Sequence, residues 1–416
     1  MRVEGPDEDD VVEHVADAYV WGLPLLLTHR ARAAQVAAGG AGWGALACRG
    51  RLATAADRTV VAPNNDTLYA SGWFDLRDGD VVVEAGVMAP PDRYWSVMLL
   101  DAYTHVAYVC RRLHGRDGAR VRVTYDPATP PVTDRPAEVL TVGTPTLWVL
   151  VRVVVDGPGD LAAARAGLDR ITVTRADPRR RGGPDDADVP RVPSMPSVPS
   201  GHDEADVLGE LAAALATDPP ATWHPAPPDG LADLLADPPP PAVVADGVAR
   251  GEARVRAIGG GADRFGNGWG TRTRGADFGD DVTYRAAFAR VSLAGHLPAE
   301  NRSYSRGIDG RRPQSLRFPP GGEPPVGAFW SLCVYGPDLF LVPNPLDRHS
   351  IGDRTPGLRR DPDGGLTVRV GAEPPGEAGV NWLPAPPGPG ALVLRCYEGT
   401  ADVAGATWFP PDLEPA

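Results

Sequence analysis

Two stretches of this chain consist of short β-branched and aromatic runs punctuated by Gly, Pro and Asp, and a helix-patterned segment separates them. In the first, Val81-Val82-Val83, Tyr94 through Leu100, Val121-Arg122-Val123 and Leu147 through Val155 follow one another with no helical pattern between them. Successive strands without crossover helices predict an antiparallel sandwich or barrel. From 283 onward the pattern returns in Phe329 through Tyr335, Leu339 through Val342, Leu366 through Val370 and Ala391 through Tyr397. Asp361-Pro362-Asp363-Gly364-Gly365 predicts a hairpin turn. The number of strands makes this second region jelly-roll-like.

The rest of the chain reads as helix or linker. Residues 10–38 predict a helix, because Val11, Val12, Val15, Ala18 and Tyr19 recur at helical spacing behind an acidic first turn. Pro24 is expected to kink or divide it. Leu161–Leu168 predicts a short helix closing the first β region, and Asp203–Ala216, Leu231–Leu235 and Ala242–Ile258 predict a small helical insertion. Gly259-Gly260-Gly261 has no strand before it and reads as a helix stop. Residues 176–201 are rich in Pro, Arg and Asp, with Pro-x-x-Pro spacing between Pro190 and Pro196; an extended linker is the stronger reading over a ligand for an aromatic groove. The expected organisation is a helical segment at 1–58, a β-sandwich at 59–175, linker and helical insertion at 176–282, and a second sandwich at 283–416. That is a mainly β chain with a helical insertion, α+β overall.

Composition narrows the chemistry. The net charge of −13 argues against a broad nucleic-acid surface or a patch for anionic membranes. All 41 basic residues are arginine, which removes Schiff-base and lysine-base chemistry and leaves a cation suited to bidentate grip on carboxylate, sulfate or phosphate. Cys48, Cys110, Cys333 and Cys396 show no CxxC spacing and are expected to be reduced thiols. Residues 1–10 are acidic and carry no signal-peptide pattern, and no apolar run reaches membrane-spanning length, so a soluble cytoplasmic protein is expected. There is no GxSxG elbow, phosphate loop, HxH or HExxH, and neither a metal nor a redox or nucleotide cofactor is expected.

Several residues stand out against this background. Pro63-Asn64-Asn65-Asp66-Thr67-Leu68-Tyr69 places two amides and a carboxylate where a turn feeds a strand. Arg152 and Arg395 each sit inside a strongly apolar strand, where a charge is either ion-paired or lines a cavity. Asp101, Tyr103 and His105 share one face if that segment is extended, so carboxylate, phenol and imidazole converge, either for acid–base work or as a satisfied cluster at the sheet rim. Asn344 through Arg354, with Arg348 and Asp353, forms a dense polar loop. Asn381-Trp382 offers an amide and a flat ring, either as a small-molecule or sugar platform or as a plug in the sandwich end.

These blocks resemble the paired bacterial domains of unknown function catalogued as families 1254 and 1214. The N-terminal resemblance rests on Ala18-Tyr19-Val20-Trp21-Gly22-Leu23-Pro24, Asn65-Asp66-Thr67-Leu68-Tyr69, Trp73, Asp75-Leu76, Arg93-Tyr94 and Leu100-Asp101-Ala102-Tyr103-Thr104. The C-terminal one rests on Ala328-Phe329-Trp330-Ser331-Leu332, Tyr335, Asn344-Pro345, Arg348, Ser350-Ile351-Gly352-Asp353, Asn381-Trp382-Leu383-Pro384, Arg395, Tyr397 and Trp408. The resemblance implies an immunoglobulin-like sandwich, a helical insertion and a jelly-roll-like sandwich, and it assigns no reaction.

The functional expectation is a cofactor-independent enzyme, of secondary metabolism for instance, acting on a small polar, anionic substrate by elimination, substitution or cyclisation. Asp66 or Asp101 acts as base or cation stabiliser, Tyr103 and His105 assist, Arg152 or Arg395 holds the anion, and Asn64, Asn65 and Tyr69 orient it. The rivals are a non-catalytic ligand- or carbohydrate-binding protein and a subunit of a heteromeric enzyme. The partners expected are a small molecule and either further copies of the chain or an obligate protein partner, with no nucleic acid and no membrane.

Overall fold

The computed structural model describes residues 7–38, 42–58, 60–177, 206–259, 261–377 and 379–416. The Pro-x-x-Pro stretch between Pro190 and Pro196, and the predicted helix start at Asp203, lie outside them.

The first sandwich comprises β1 (Leu46–Arg49), β2 (Thr67–Asp75), β3 (Val81–Ala85), β4 (Trp95–Leu100), β5 (Val106–Cys110), β6 (Ala119–Tyr125), β7 (Val139–Val142), β8 (Thr146–Val154) and β9 (Ile171–Arg175). One sheet has the order β1-β2-β8-β4-β5 and the other β7-β6-β3-β9. Leu68, Val97, Val149 and Val151 of the first meet Val81, Val83, Val121 and Val173 of the second in one core. The second sandwich comprises β10 (Arg264–Gly266), β11 (Trp269–Thr271), β12 (Asn301–Asp309), β13 (Gln314–Phe318), β14 (Val326–Tyr335), β15 (Ser350–Gly352), β16 (Leu366–Gly371), β17 (Trp382–Pro384), β18 (Pro389–Gly399) and β19 (Leu413–Pro415). Its sheets run β10-β11-β12-β18-β14-β15 and β17-β16-β13-β19, closed over Trp330, Leu332, Leu394, Leu316 and Val368. The two sandwiches therefore reach back to Leu46 and Arg264, each beyond the start expected from the strand pattern alone.

Helices cover the free face of the first sandwich. They are α1 (Glu8–Ala37), α4 (Val207–Thr217), α5 (Leu231–Ala236), α6 (Pro241–Ile258) and α7 (Val282–Val291), whereas α2 (Arg111–His114) follows β5, α3 (Leu161–Leu168) packs into the first sandwich's own core and α8 (Ala401–Ala404) packs on the second sandwich. Side chains of α1, α4, α6 and α7 share a core with Trp73, Leu100, Trp148 and Leu150 from the outer face of β2, β4 and β8. Gly247 and Gly251 let α6 approach α1 closely, since a Cβ at Gly247 would lie 2.4 Å from that of Val15.

Three local expectations are corrected. Pro24 lies within an uninterrupted 30-residue α1; the residues around it are buried by neighbouring helices, which outweighs the hydrogen bond its ring removes. Leu339 through Val342 forms no strand, because Leu339 turns at φ 59° and Gly336 N–H closes onto the Phe340 carbonyl at 2.9 Å. The Asp361–Gly365 turn exists, with the Gly364 N–H on the Asp361 carbonyl at 2.9 Å, but the strand after it, β16, pairs with β13 and β17 and forms no hairpin across that turn.

Candidate functional site

Strand parity decides which face of the first sandwich carries polar groups. Every residue of β8 is buried, and Leu147, Val149, Val151 and Val153 fill the sandwich core. Arg152 consequently lies on the opposite face, level with Tyr69 on β2 and with Ser96 on β4. The Tyr69 ring centroid is 5.4 Å from its guanidinium carbon. The second sandwich repeats the arrangement. Leu392, Leu394 and Cys396 point inward, so Arg395 and Tyr397 occupy the outer face, level with Ser331 and Phe329 on β14. The two outer faces meet in an aromatic seam. Phe329 stacks on Tyr397 at 4.2 Å, and Tyr94 sits edge-on to both, at 5.4 and 5.1 Å.

Hydrogen-bond accounting sets this seam apart. Arg152 is 3% exposed; among the described residues its one hydrogen-bond contact is with the Met98 sulfur at 3.7 Å, and its Nε has no partner. Arg395 is 8% exposed; Nη2 donates to the Ala62 carbonyl at 3.0 Å and Nη1 has no partner. Asp66 is 5% exposed and its Oδ2 is likewise unpartnered. Among the described residues neither arginine has a carboxylate within 4.0 Å. Buried guanidinium groups are ordinarily paired, because leaving one unpaired costs several kcal/mol, on the order given by desolvation. Asn64 links the elements: its Oδ1 accepts the Asp66 N–H at 2.6 Å and its Nδ2 donates to the Tyr397 hydroxyl at 2.5 Å.

The electrostatics follow from this packing. Burial disfavours the charge on Arg152, but the phenols of Tyr69, Tyr94, Tyr108 and Tyr397 around it hold its pKa above the ordinary value. Burial raises the Tyr397 phenol, as do Tyr69 and Asp66, against the opposing pull of Arg395 and Arg152; one hydroxyl thus feels both arginines and the free carboxylate. His296 closes one side. The Tyr108 hydroxyl accepts the Leu297 N–H at 3.3 Å and shares a hydrogen bond with His296 Nδ1 at 3.2 Å. Burial, Arg152 and Arg395 together push His296 well below its usual pKa, so the ring is neutral.

Asp101 belongs to a second, different cluster. Its Oδ1 accepts the backbone N–H groups of Tyr103 and His105, both at 2.9 Å, and its Oδ2 meets His105 Nδ1 at 3.2 Å and His224 Nε2 at 2.9 Å. The expected extended segment is instead a tight turn, with Thr104 at φ 68° and the Thr104 N–H on the Asp101 carbonyl. Tyr103 donates elsewhere, to the Asp218 carbonyl at 3.1 Å. Carboxylate and imidazole do converge, and the phenol stays outside their hydrogen-bond network.

The far nitrogens of the two histidines fix the protons. His105 Nε2 receives a hydrogen bond from Arg285 Nη2 at 2.9 Å, and His224 Nδ1 receives one from the Ala221 N–H at 3.2 Å. Both must be lone pairs, so the nitrogens facing Asp101 carry the hydrogens. Although Asp101, His105 and His224 offer ligand atoms within 4.8 Å of one another, a metal there needs those same nitrogens deprotonated and would set N–H against N–H at both far positions. The residues do not fit a metal. Burial would raise Asp101, but His105, His224 and their hydrogen bonds hold it well below the ordinary carboxylate range. Burial lowers His105 to about 4, against the attraction of Asp101.

The remaining predicted residues hold their own surroundings together. Asn65 Nδ2 donates to the Ala53 carbonyl at 2.6 Å. Arg348 donates to the Trp382 carbonyl at 2.9 Å, and the Trp382 indole N–H to the Gly371 carbonyl at 2.9 Å, with that ring only 8% exposed. Asn381 is saturated by Arg359 and Thr367. Asp353 accepts the Trp330 N–H at 3.3 Å, and burial raises its pKa to about 6. Trp382 therefore plugs the sandwich end. An open groove of about 210 Å³ between Asp17, Trp21, Pro228 and Arg254 touches neither cluster. Sequence reasoning missed His296, Tyr108, His224 and Arg285 as site residues. Only Tyr108 carried a signal, since it shares strand parity with Cys110, the residue level with Ser96 in the row that contains Arg152.

Two family models match the chain, each described as a protein of unknown function: DUF1254 over residues 44–175 and DUF1214 over 297–401. No curated protein matches. Among solved structures, a protein from Vibrio parahaemolyticus is similar with a TM-score of 0.69 and 19% identity, covering 98% of this chain and 100% of that one. A putative uncharacterized protein from Burkholderia cenocepacia has a TM-score of 0.45 and 14% identity, covering 99% of this chain and 95% of that one. The first likeness extends to the fold and no further.

Proposed function

We propose that this chain, which belongs to the proteins pairing DUF1254 with DUF1214, is an enzyme that binds a small anionic molecule in the seam between its two sandwiches. The observation that carries this reading is the pair of buried guanidinium groups, Arg152 and Arg395, one from each sandwich, with unsatisfied N–H groups and no carboxylate partner. A ligand carboxylate, sulfate or phosphate supplies the missing charge and acceptors.

Acid–base chemistry at this site falls to Asp66 and not to Asp101. Asp66 keeps an unsatisfied oxygen, whereas all four hydrogen-bonding directions of Asp101 are filled. Arg152 and Arg395 hold the anion, Tyr69 and Tyr397 orient it, and Asp66 accepts a proton from it or stabilises a developing cation. Elimination, substitution or cyclisation without a redox or nucleotide cofactor, in secondary metabolism for instance, suits such a set.

The test is thermal unfolding of the full chain with and without small carboxylates, phosphate and sulfate. At least one of them should raise the midpoint of the native protein and leave Arg152→Met and Arg395→Met unmoved. Equal shifts in all three proteins would place the anion elsewhere and end this reading.

A further inference from the structure

The seam contains a third unsatisfied group, and its chemistry narrows the ligand further. Asp66 Oδ2 is a buried acceptor with no donor, and Asp66, Arg395 and Arg152 all act on the one Tyr397 hydroxyl. Nearby charges cancel: Glu300 pairs with Arg112 at 3.0 Å and Glu398 with Arg111 at 2.5 Å. His296, hydrogen-bonded to the Tyr108 hydroxyl, adds no charge, because burial beside Arg152 and Arg395 disfavours its protonated form. Arg354, whose guanidinium lies 3.8 Å from the Phe329 ring centroid, pairs with Asp156 at 2.7 Å, and the three unsatisfied groups Arg152, Arg395 and Asp66 together carry one net positive charge.

We infer that the seam is built for a hydroxy monocarboxylate, whose carboxylate occupies Arg152 and Arg395 while its hydroxyl donates to Asp66 Oδ2. This rests on the anion-binding reading above. A hydroxy monoanion neutralises the seam and satisfies all three orphaned groups at once. A dicarboxylate sets its second carboxylate against Asp66. An amino acid satisfies Asp66 but, as a zwitterion, leaves the positive charge uncompensated. A simple monocarboxylate leaves the Asp66 acceptor without a donor, the costly half of a broken hydrogen bond.

Lactate, propionate, alanine and malonate test this, the first three being near-isosteric molecules that differ at one substituent. Titration calorimetry and thermal unfolding of the full chain should find lactate bound about tenfold more tightly than propionate, the scale of a hydrogen bond to a charged group. Alanine and malonate should both bind more weakly than lactate. In Asp66→Ala the lactate advantage over propionate should shrink to about onefold, whatever the change in affinity common to both anions. If that variant does not fold, the lactate-to-propionate ratio on the native chain decides alone. Propionate equal to lactate, or alanine or malonate tightest, overturns the hydroxy-acid assignment and leaves the anion site standing. No binding of any of the four, together with an Arg152→Met protein indistinguishable from the native one in phosphate and sulfate, removes both.

Discussion

Tyr69 and Arg152 stand opposite each other on the β2–β8 ladder, and the guanidinium lies 5.4 Å from the phenol ring centroid on the face turned away from the sandwich core. A ring face partly compensates a buried cation, and a cation–π contact of this kind is worth about 2 kcal/mol when desolvated. That falls short of the cost of burying an unpaired guanidinium, so the ring alone leaves the charge incompletely compensated.

Replacing that charge should stabilise the free protein. Arg152→Met keeps an unbranched apolar stem among Tyr69, Met98 and Tyr108 and removes the desolvation penalty, so a gain of about 1 kcal/mol or more is expected. Urea unfolding without added anions measures it. A loss of stability would show that Arg152 is already compensated within the fold.

The Asp101 cluster should behave as scaffold. Asp101→Asn turns one of two acceptor oxygens into an N–H₂ facing existing donors, at a cost of about 3 kcal/mol. Chemical unfolding of the purified variant reads this directly, and the anion-induced thermal shift should persist. Loss of the anion response in a folded Asp101→Asn protein would tie this cluster to the seam.

Acid should weaken the fold in a defined window. His105 stays neutral in the native protein down to about 4, whereas in an unfolded chain it takes a proton below about 6.5. Between those values the unfolded chain binds more protons, so stability declines as pH falls from about 6.5 to about 4. Asp101, depressed in the native state, adds a further loss below its unfolded value of about 3.9. His105→Gln should flatten the first part of this slope in a pH series of unfolding curves; an unchanged slope would assign it to other groups.

Asn381 and Trp382 should matter to stability alone. Asn381→Ala removes three side-chain hydrogen bonds, to Arg359 and Thr367, and should cost about 2 kcal/mol with no change in anion binding. Calorimetry of the variant with the best-binding anion separates the two effects.

Much of this was legible from local rules. Apolar strands interrupted by a single arginine singled out Arg152 and Arg395, since period-two patterning makes a charge there conspicuous. The polar turn before β2 singled out Asp66 for the same reason. The runs at 147–155 and 391–397 fixed where the strands lie, and Leu161–Leu168 appears as α3 with the same bounds. Sequence did not reveal that Asp66 and Asp101 lie at opposite ends of one sheet. Both flank strands that pair with β8, but Asp66 sits level with Val155 whereas Leu100 sits level with Trp148. At about 3.3 Å per residue that register separates the two carboxylates by roughly 25 Å along β8.

The sequence by itself determined the main strand and helix runs and the residue types available for binding, because periodicity and charge are local properties. Only the tertiary structure decided which polar groups share a site. Arg152 and Arg395 lie 243 positions apart in the chain, yet from the outer faces of two separate sandwiches both act on Tyr397 and His296. His224 and Arg285, which complete the Asp101 network, come from the helical insertion. Strand register and the packing of one sandwich on another are long-range quantities, and they left Arg152, Arg395 and Asp66 without partners while satisfying Asp101 completely.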